Sequence, residues 1–355
     1  MKLCTVSCIG FVAIACKNAL LQVSSFTLNP NPTFSSTVAT KIRHPSSALK
    51  MAKLLPDDSA HSTVGIVGKG YISYLTAKLA SKAGYKTWML YPPSELDTIK
   101  KLMQTANEEL PENLEFLSIE DGELVQDKIK NTNALIFAAD DPDNGVVDSS
   151  IIQFMINEAT MSTKSLKRVC ILSRNLNGSG LGFFSKAAKA TANSEVWSGD
   201  EKLIQMYKKF ENQINEAVKK ECSEETDVSV VRAGTLKGGA CGDAAQDDYF
   251  PQYLSPYFYE VTKKDIITWQ LLFDCNVRGV KLFQGDSMQG PGGKAILTAN
   301  SSEACEGDSS RCAVAEALVR SMKLEKGVEF AVGTTEGRIP PTENEWEKML
   351  VNISS

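Results

Sequence analysis

Histidine is nearly missing from this chain: 355 residues hold two, His44 and His61. So few imidazoles nearly exclude a His-based catalytic triad or a His-ligated metal centre. Cysteine is present but lacks a binding pattern. Beyond residue 51 stand Cys170, Cys222, Cys241, Cys275, Cys305 and Cys312, with no CxxC and no metal-ligand spacing, so no metal site is expected. No apolar run approaches the roughly 18 residues of a membrane span. A basic excess is lacking too: 38 Lys and Arg face 43 Asp and Glu, a net charge of −5. Such a surface repels a phosphate backbone, and no basic stretch is long enough to offset it, so nucleic acid is not an expected partner. There is no internal repeat and no low-complexity tract. What remains is 43% hydrophobic, enough to bury one large core or two small ones.

The sharpest absence is local. The first 51 residues hold five basic residues (Lys2, Lys17, Lys41, Arg43, Lys50) and no acid. Met1-Lys2 is a short basic start, Leu3 to Cys16 an apolar run, and Val23-Ser24-Ser25 a small-residue cleavage site, the layout of a signal peptide over 1–25. Residues 26–51 are basic, acid-free and rich in Ser, Thr and Pro, which is transit-peptide composition. With Phe26 directly after the cleavage point, the two segments resemble the bipartite presequence of algae with secondary red plastids. The resemblance implies import into the chloroplast stroma; a secreted protein with a disordered N-terminus is the alternative. In a stroma Cys305 and Cys312 are a candidate redox pair, while Cys170, inside an apolar strand, reads as a core residue.

The globular part is organised around Thr63 to Tyr91. Val64 to Val67 read as a short buried strand, and Gly68-Lys69-Gly70 as a tight turn into a helix. That helix places Ile72, Leu75, Leu79 and Ala83 on one face at three- and four-residue spacing. Gly84 ends it, and Lys86 to Tyr91 read as a second strand. Strand, glycine turn, helix and strand form a βαβ unit of about 30 residues, the dinucleotide-binding geometry. Glycine lets the backbone approach a pyrophosphate, and the N–H groups at the helix start meet its charge. The third glycine of the usual pattern is Ser73 here. After Tyr91, where an NAD enzyme places Asp or Glu for the ribose hydroxyls, stand Pro92, Pro93 and Ser94; Glu95 comes later and belongs to the next helix.

Downstream, the pattern predicts a helix over 97–110, a strand over 114–119 and a strand over 134–139. Ala138-Ala139 suits a strand end lying against a nucleotide, or a plain exit to a loop. A helix over 146–161, a strand over 167–173, a loop over 175–182, a long helix over 201–220 and a strand over 227–234 follow. Six strands separated by helices imply a doubly wound parallel α/β sheet, a Rossmann fold spanning 62–352. From 243 the signal weakens. Tyr249 to Tyr259 form an aromatic cluster that packs a small C-terminal cap over about 243–300 or floors a pocket. Beyond it come a helix over 261–275, a strand at 280–283, a helix over 310–322, a strand over 328–332 and a last helix over 343–350 with Trp346 inward.

Several of these pieces, in order, resemble the atypical short-chain dehydrogenase/reductases of the NmrA-like type. They are the glycine turn, the strand 167–173, the helix around Lys209-Phe210-Glu211, the Val228-to-Leu236 stretch containing Val-Val-Arg-Ala-Gly, and Asp308 to Leu318 with its Ser-Arg-Cys-Ala-Val-Ala-Glu-Ala-Leu run. The resemblance covers about 62–335. It implies NAD(P), held by Gly68, Lys69, Gly70, Tyr71, Ile72, Tyr91, Ala138, Ala139, Ser173 and Gly234; the missing carboxylate at Tyr91 and Lys69 in the turn favour NADP, with NAD as the alternative. The chain departs from the family in its shorter glycine turn. It departs again in the Tyr-xxx-Lys pair: four residues after Tyr207 stands Glu211, and the alternative register puts Leu203 at the tyrosine position and Tyr207 at the lysine position. Ser173 and Tyr207 are thus only weak catalytic candidates, and the usual phenol held by an ammonium is lacking. Two functions stay open: an NADPH-dependent plastid reductase acting on a small molecule, and a non-catalytic scaffold or assembly factor for photosynthetic complexes.

Overall fold

Side chains along the first strand, β1 (Thr63–Val67), alternate between two hydrophobic clusters: Val64 and Ile66 enter one, Val67 the other. The same period of two continues across the sheet. The computed structural model describes residues 62–104, 109–140, 146–161, 166–176, 202–237, 255, 279–288, 308–335 and 340–354. All lie in the second of the two units into which the chain divides, Met51–Ser355. After β1 come α1 (Tyr71–Lys82), β2 (Lys86–Tyr91), α2 (Pro93–Met103), β3 (Leu114–Ser118), α3 (Gly122–Lys130), β4 (Ala134–Phe137), α4 (Ser149–Met161) and β5 (Arg168–Arg174). Then follow α5 (Lys202–Glu221), β6 (Asp227–Ala233), β7 (Thr235–Lys237), β8 (Gly279–Gln284), β9 (Asp308–Ser310), α6 (Arg311–Ser321), β10 (Glu329–Thr335) and α7 (Glu343–Ser354).

Among the described residues the main sheet has eight strands in the order β3-β2-β1-β4-β5-β6-β10-β8. All neighbours are parallel except β8, which runs antiparallel to β10 at the edge. This is the Rossmann-type doubly wound sheet, with its order reversing between β1 and β4. On one face α1, α2, α6 and α7 bury Ile72, Leu75, Ile99, Leu318 and Trp346; on the other, α3, α4 and α5 bury Ile129, Ile152, Met155, Phe210 and Ile214. Alanines on α1 (Ala77, Ala80) and α6 (Ala313, Ala317) are fully or nearly fully buried, which suits the close packing of these two helices. Helix α7 is fixed to α6 by Arg320, which donates to Glu343 at 2.7 and 2.6 Å and lies 5.0 Å from the Trp346 ring.

Several elements differ from the sequence expectation. Helix α2 spans Pro93–Met103, not 97–110: Pro93 sits in the first turn, where its missing N–H costs nothing, and Gln104 is already extended. Helix α3 was not expected, since only Val125 and Ile129 of its nine residues are buried. Strands β7 and β9 pair in parallel over three residues each as a separate ribbon. Of the cap expected over 243–300, only 255 and 279–288 are described, and β8 there is an edge strand of the main sheet. The aromatic cluster and the helix over 261–275 lie outside the described residues, as does the N-terminal presequence. Cys305 is outside them too, so its pairing with the buried Cys312 is untouched. Cys170 is fully buried as expected, and burial pushes its thiol up to about 11.

One cross-strand pair sets the packing on the α3–α5 face. Gly65 lies opposite Trp88, whose indole is 1% exposed and donates to Thr132 Oγ1 at 3.0 Å. A Cβ on Gly65 would fall 2.3 Å from Trp88 Cζ2, and the enclosed ring cannot move aside. Gly65→Ala is therefore expected to cost about 1–3 kcal/mol by overpacking, and much less in a Trp88→Leu background. Urea unfolding of the two single variants and the double variant checks this; additive costs would remove the steric explanation.

Candidate functional site

The β1–α1 turn is shaped first by the strand beside it. Gly68 has φ +140° and Gly70 φ +127°, values that L side chains rarely adopt. At Gly68 a Cβ would also lie 2.2 Å from the carbonyl oxygen of Ala138. The exit of β4 thus packs directly on the turn, and Ala138 N–H donates to Val67 O at 2.9 Å. The Gly68 carbonyl accepts from Tyr91 Oη at 2.9 Å and from Ser73 Oγ at 3.1 Å. Ser73, in place of a third glycine, braces the turn from inside the helix. Burial, with Tyr74 adding to it, holds the Tyr91 phenol well above its ordinary range, so it stays a neutral donor.

Helix α1 has no side-chain cap from its own N-cap residue, Gly70. Instead Asp140, just past β4, accepts the N–H of Ile72 on Oδ1 at 3.0 Å, and its own N–H donates to Lys69 O at 3.1 Å. The cation of the turn is also engaged. Lys69 Nζ lies 3.1 Å from Glu95 Oε1 in the first turn of α2, with both side chains partly exposed.

A cavity of about 630 Å³ opens beside the turn, at the C-terminal ends of β1, β2 and β4. Gly68, Lys69, Tyr91 and Glu95 line one side, Ala139 and Val147 the back, and Lys209 and Phe210 of α5 the other. It lies at the β1/β4 switch point, where open α/β sheets bind their ligands. Of the residues expected to hold a cofactor, Gly68, Lys69, Tyr91 and Ala139 meet on this cavity. Gly70, Tyr71 and Ile72 form the end of the turn and the start of the helix; the Ile72 side chain itself is fully buried. Ala138 is in the core on the α1 side. Gly234, at the end of β6, donates its N–H to Ser309 Oγ at 2.7 Å and belongs to the β7–β9 corner. Among the described residues no group of three or more His, Cys, Asp or Glu could hold a metal.

Ser173 and Tyr207 do not converge on the cavity. Ser173, fully buried, donates to Glu211. Glu211 in turn takes a two-point contact from Arg232, Nη1–Oε1 2.7 Å and Nη2–Oε2 2.9 Å. Arg232 also donates to Glu329 at 2.8 Å and to the Arg174 carbonyl at 2.9 Å. Burial alone would lower the guanidinium, but the hydrogen bond and charge of Glu211 outweigh it and the net shift is upward. Tyr207 is 5% exposed within the α3–α5 core, and Leu203 lies on the exposed side of α5. The helix position four after Tyr207 is thus used to anchor α5 to the sheet. Sequence reasoning missed Asp140 as a cap and Glu95 as a cavity wall. The one available signal was a carboxylate directly after a strand at the switch point.

Because Arg232 and Glu211 are 7% and 13% exposed, removing one strands the other. Glu211→Ala is expected to cost about 3–5 kcal/mol, read by urea unfolding. A cost below about 1 kcal/mol would show that the pair is solvated and does not anchor α5.

No protein-family model matches the sequence, and no curated protein matches it. Solved structures are similar to the chain at low identity. Gre2 from Candida albicans aligns with a TM-score of 0.43 and 13% identity, over 77% of this chain and 78% of that one. The yeast methylglyoxal/isovaleraldehyde reductase complexed with NADPH aligns at 0.40 and 10%, over 75% and 73%. ChuY from Escherichia coli CFT073 aligns at 0.38 and 11%, over 79% and 100%. None of these likenesses transfers a residue role; the fold, a Rossmann-type α/β sheet, is established by the chain's own strand order and doubly wound layers.

Proposed function

We propose that the chain binds a nicotinamide dinucleotide at the β1–α1 turn and works as an NADPH-dependent reductase of the atypical short-chain type. The observation that carries the binding is the cavity beside Gly68 and Lys69 at the switch point. The residues fit the group. The Gly68–Gly70 turn offers close backbone approach to a pyrophosphate, although Asp140 already accepts the Ile72 N–H; the wall of Tyr91, Pro92 and Ile119 suits an adenosine, and the small Ala139 leaves room in the cavity. A bound NADPH would supply a hydride; the chain's part is to hold the turn rigid through Tyr91 and Ser73 and to present Lys69. NADP is favoured over NAD because Lys69 on the cavity wall can meet a 2′-phosphate and no carboxylate directly follows Tyr91 in sequence, although Glu95, on the same wall, pairs with that lysine and narrows the preference.

A second reading, a non-catalytic scaffold or assembly factor for photosynthetic complexes, is favoured by one observation. Ser173 is committed to Glu211 and Arg232, and Tyr207 to the core, so neither candidate proton donor faces the cavity. Retention of NADPH without its oxidation by any carbonyl substrate would select that reading. For the binding itself, Gly70→Val puts a branched side chain where the dinucleotide crosses the turn. Calorimetric NADPH binding should vanish while circular dichroism keeps the α/β signature; unchanged affinity would remove the turn as the site.

The plastid stroma is the proposed location, on the signal-peptide and transit-peptide composition of residues 1–51. Fused to a fluorescent reporter, these residues should carry it into the plastid of a red-lineage alga. Phe26→Ala should leave it outside the inner envelopes. Secretion of the wild-type fusion into the medium would overturn the location and with it the photosynthetic alternative.

A further inference from the structure

The cavity beside the glycine turn carries two lysines on facing walls, and their surroundings differ. Lys69, on the turn side, lies 3.1 Å from the Glu95 carboxylate. At a ligand's distance that wall is close to neutral, because the two charges largely cancel. Lys209 stands on the α5 side. Its neighbours three and four positions away are Gln205, Met206, Asn212 and Gln213, so no carboxylate along α5 is placed to pair with it. Glu211, two residues on, is taken up by Arg232 and Ser173. The other acid on the cavity wall, Asp148, accepts from Ser150 N–H at 2.8 Å and from Ser150 Oγ at 2.5 Å. Among the described residues no carboxylate forms an ion pair with Lys209. Its backbone is nevertheless held: Tyr207 and Phe210 are buried in the core, and Glu211 ties the helix to β6 through Arg232. The flexible lysine stem thus leaves from a fixed point beside a space of about 630 Å³, the size of a small-molecule site. Two isoleucines on the same cavity are exposed, Ile119 at 53% and Ile151 at 43%. An apolar rim beside an unpaired cation suits a ligand that is partly apolar and partly anionic.

We infer that Lys209 is the specificity-determining residue of this site: its ammonium takes the 2′-phosphate that distinguishes NADP from NAD. This rests on the dinucleotide reading above and adds which side chain sets the choice between the two cofactors. An adenosine laid against Tyr91, Pro92 and Ile119 has Lys209 on the wall facing it. At Lys69 an arriving phosphate has to displace Glu95 or bind beside it, so the gain over NAD is small. At Lys209 no carboxylate is displaced, and a charge-assisted contact forms without that loss. The glycine turn holds what the two cofactors share, and α5 reads what separates them.

The test measures NADPH and NADH affinities by calorimetry for wild type, Lys209→Met, Lys209→Arg, Lys69→Met and Lys219→Met. Lys219 is an exposed lysine of the same helix that does not line the cavity. Wild type should bind NADPH about tenfold more tightly than NADH, the order of one charge-assisted contact. Lys209→Met should bring the two affinities within about twofold of each other by weakening NADPH and leaving NADH unchanged. Lys209→Arg should keep the preference, Lys69→Met should narrow it only in part, and Lys219→Met should leave it as in wild type. Lys209 is exposed, so its variants should melt as wild type does. Equal weakening of NADPH and NADH by Lys209→Met, an unchanged preference in it, or loss of the preference in Lys69→Met alone would overturn the inference and leave the dinucleotide reading intact. So would a wild type that binds both cofactors equally. Binding of neither cofactor by wild type would overturn both.

Discussion

Gly68 lying against the carbonyl of Ala138 is the contact on which the functional edge of the sheet depends. The β1–β4 ladder runs to its last residue, Val67 opposite Phe137, and the next residue of β1 must turn without touching the next residue of β4. A Cβ at 2.2 Å from Ala138 O forbids any other residue. With the backbone so placed, the Gly68 carbonyl points to where Tyr91 and Ser73 both reach it, which ties β2 and α1 to the same atom. The glycine is thus demanded by the fold before any ligand is considered. A glycine turn in sequence is weaker evidence for a nucleotide than the cavity that the turn borders.

The second constraint lies across the sheet. Arg232 on β6 joins Glu211 of α5, Glu329 of β10 and the end of β5. A buried ion pair of this kind contributes little against well-packed apolar residues, yet it penalises any arrangement that separates its members. Here it fixes how far α5 lies from the strand ends, and hence how far Lys209 and Phe210 lie from the glycine turn across the cavity. The same pairing occupies Ser173, which is why the strand-end serine is a structural residue in this protein.

Much of the fold was legible because it rests on local periodicity. Helices α1 and α5 show a three-four spacing, and strands β1, β2, β4, β5 and β6 are short, mainly apolar runs, mostly buried on both faces. Helix α3 was not legible, having two buried residues to mark its face. The direction of β8 was not legible either, since a period of two is the same for parallel and antiparallel strands. The half of the site formed by Gly68, Lys69 and Tyr91 followed from the βαβ unit. The other half needed tertiary distance. Glu95 reaches Lys69 across 26 residues and Asp140 reaches Ile72 across 68, and no local pattern encodes either meeting.

Those two carboxylates change how the turn should be regarded. A glycine turn with a lysine and a bare helix start would carry two positive features with no answering charge. In this chain both are answered, Lys69 by Glu95 and the α1 dipole by Asp140. The cavity edge therefore has both a helix cap and an ion pair of its own. In the proposed complex, a phosphate reaching Lys69 would have to replace its contact with Glu95. A ligand that brings only charge gains little from such an exchange; one that also fills the apolar wall of Ile119, Val147 and Phe210 gains the burial on top. A dinucleotide, as proposed, would be such a ligand, since it brings both charge and a large apolar surface to the cavity beside Gly68 and Lys69.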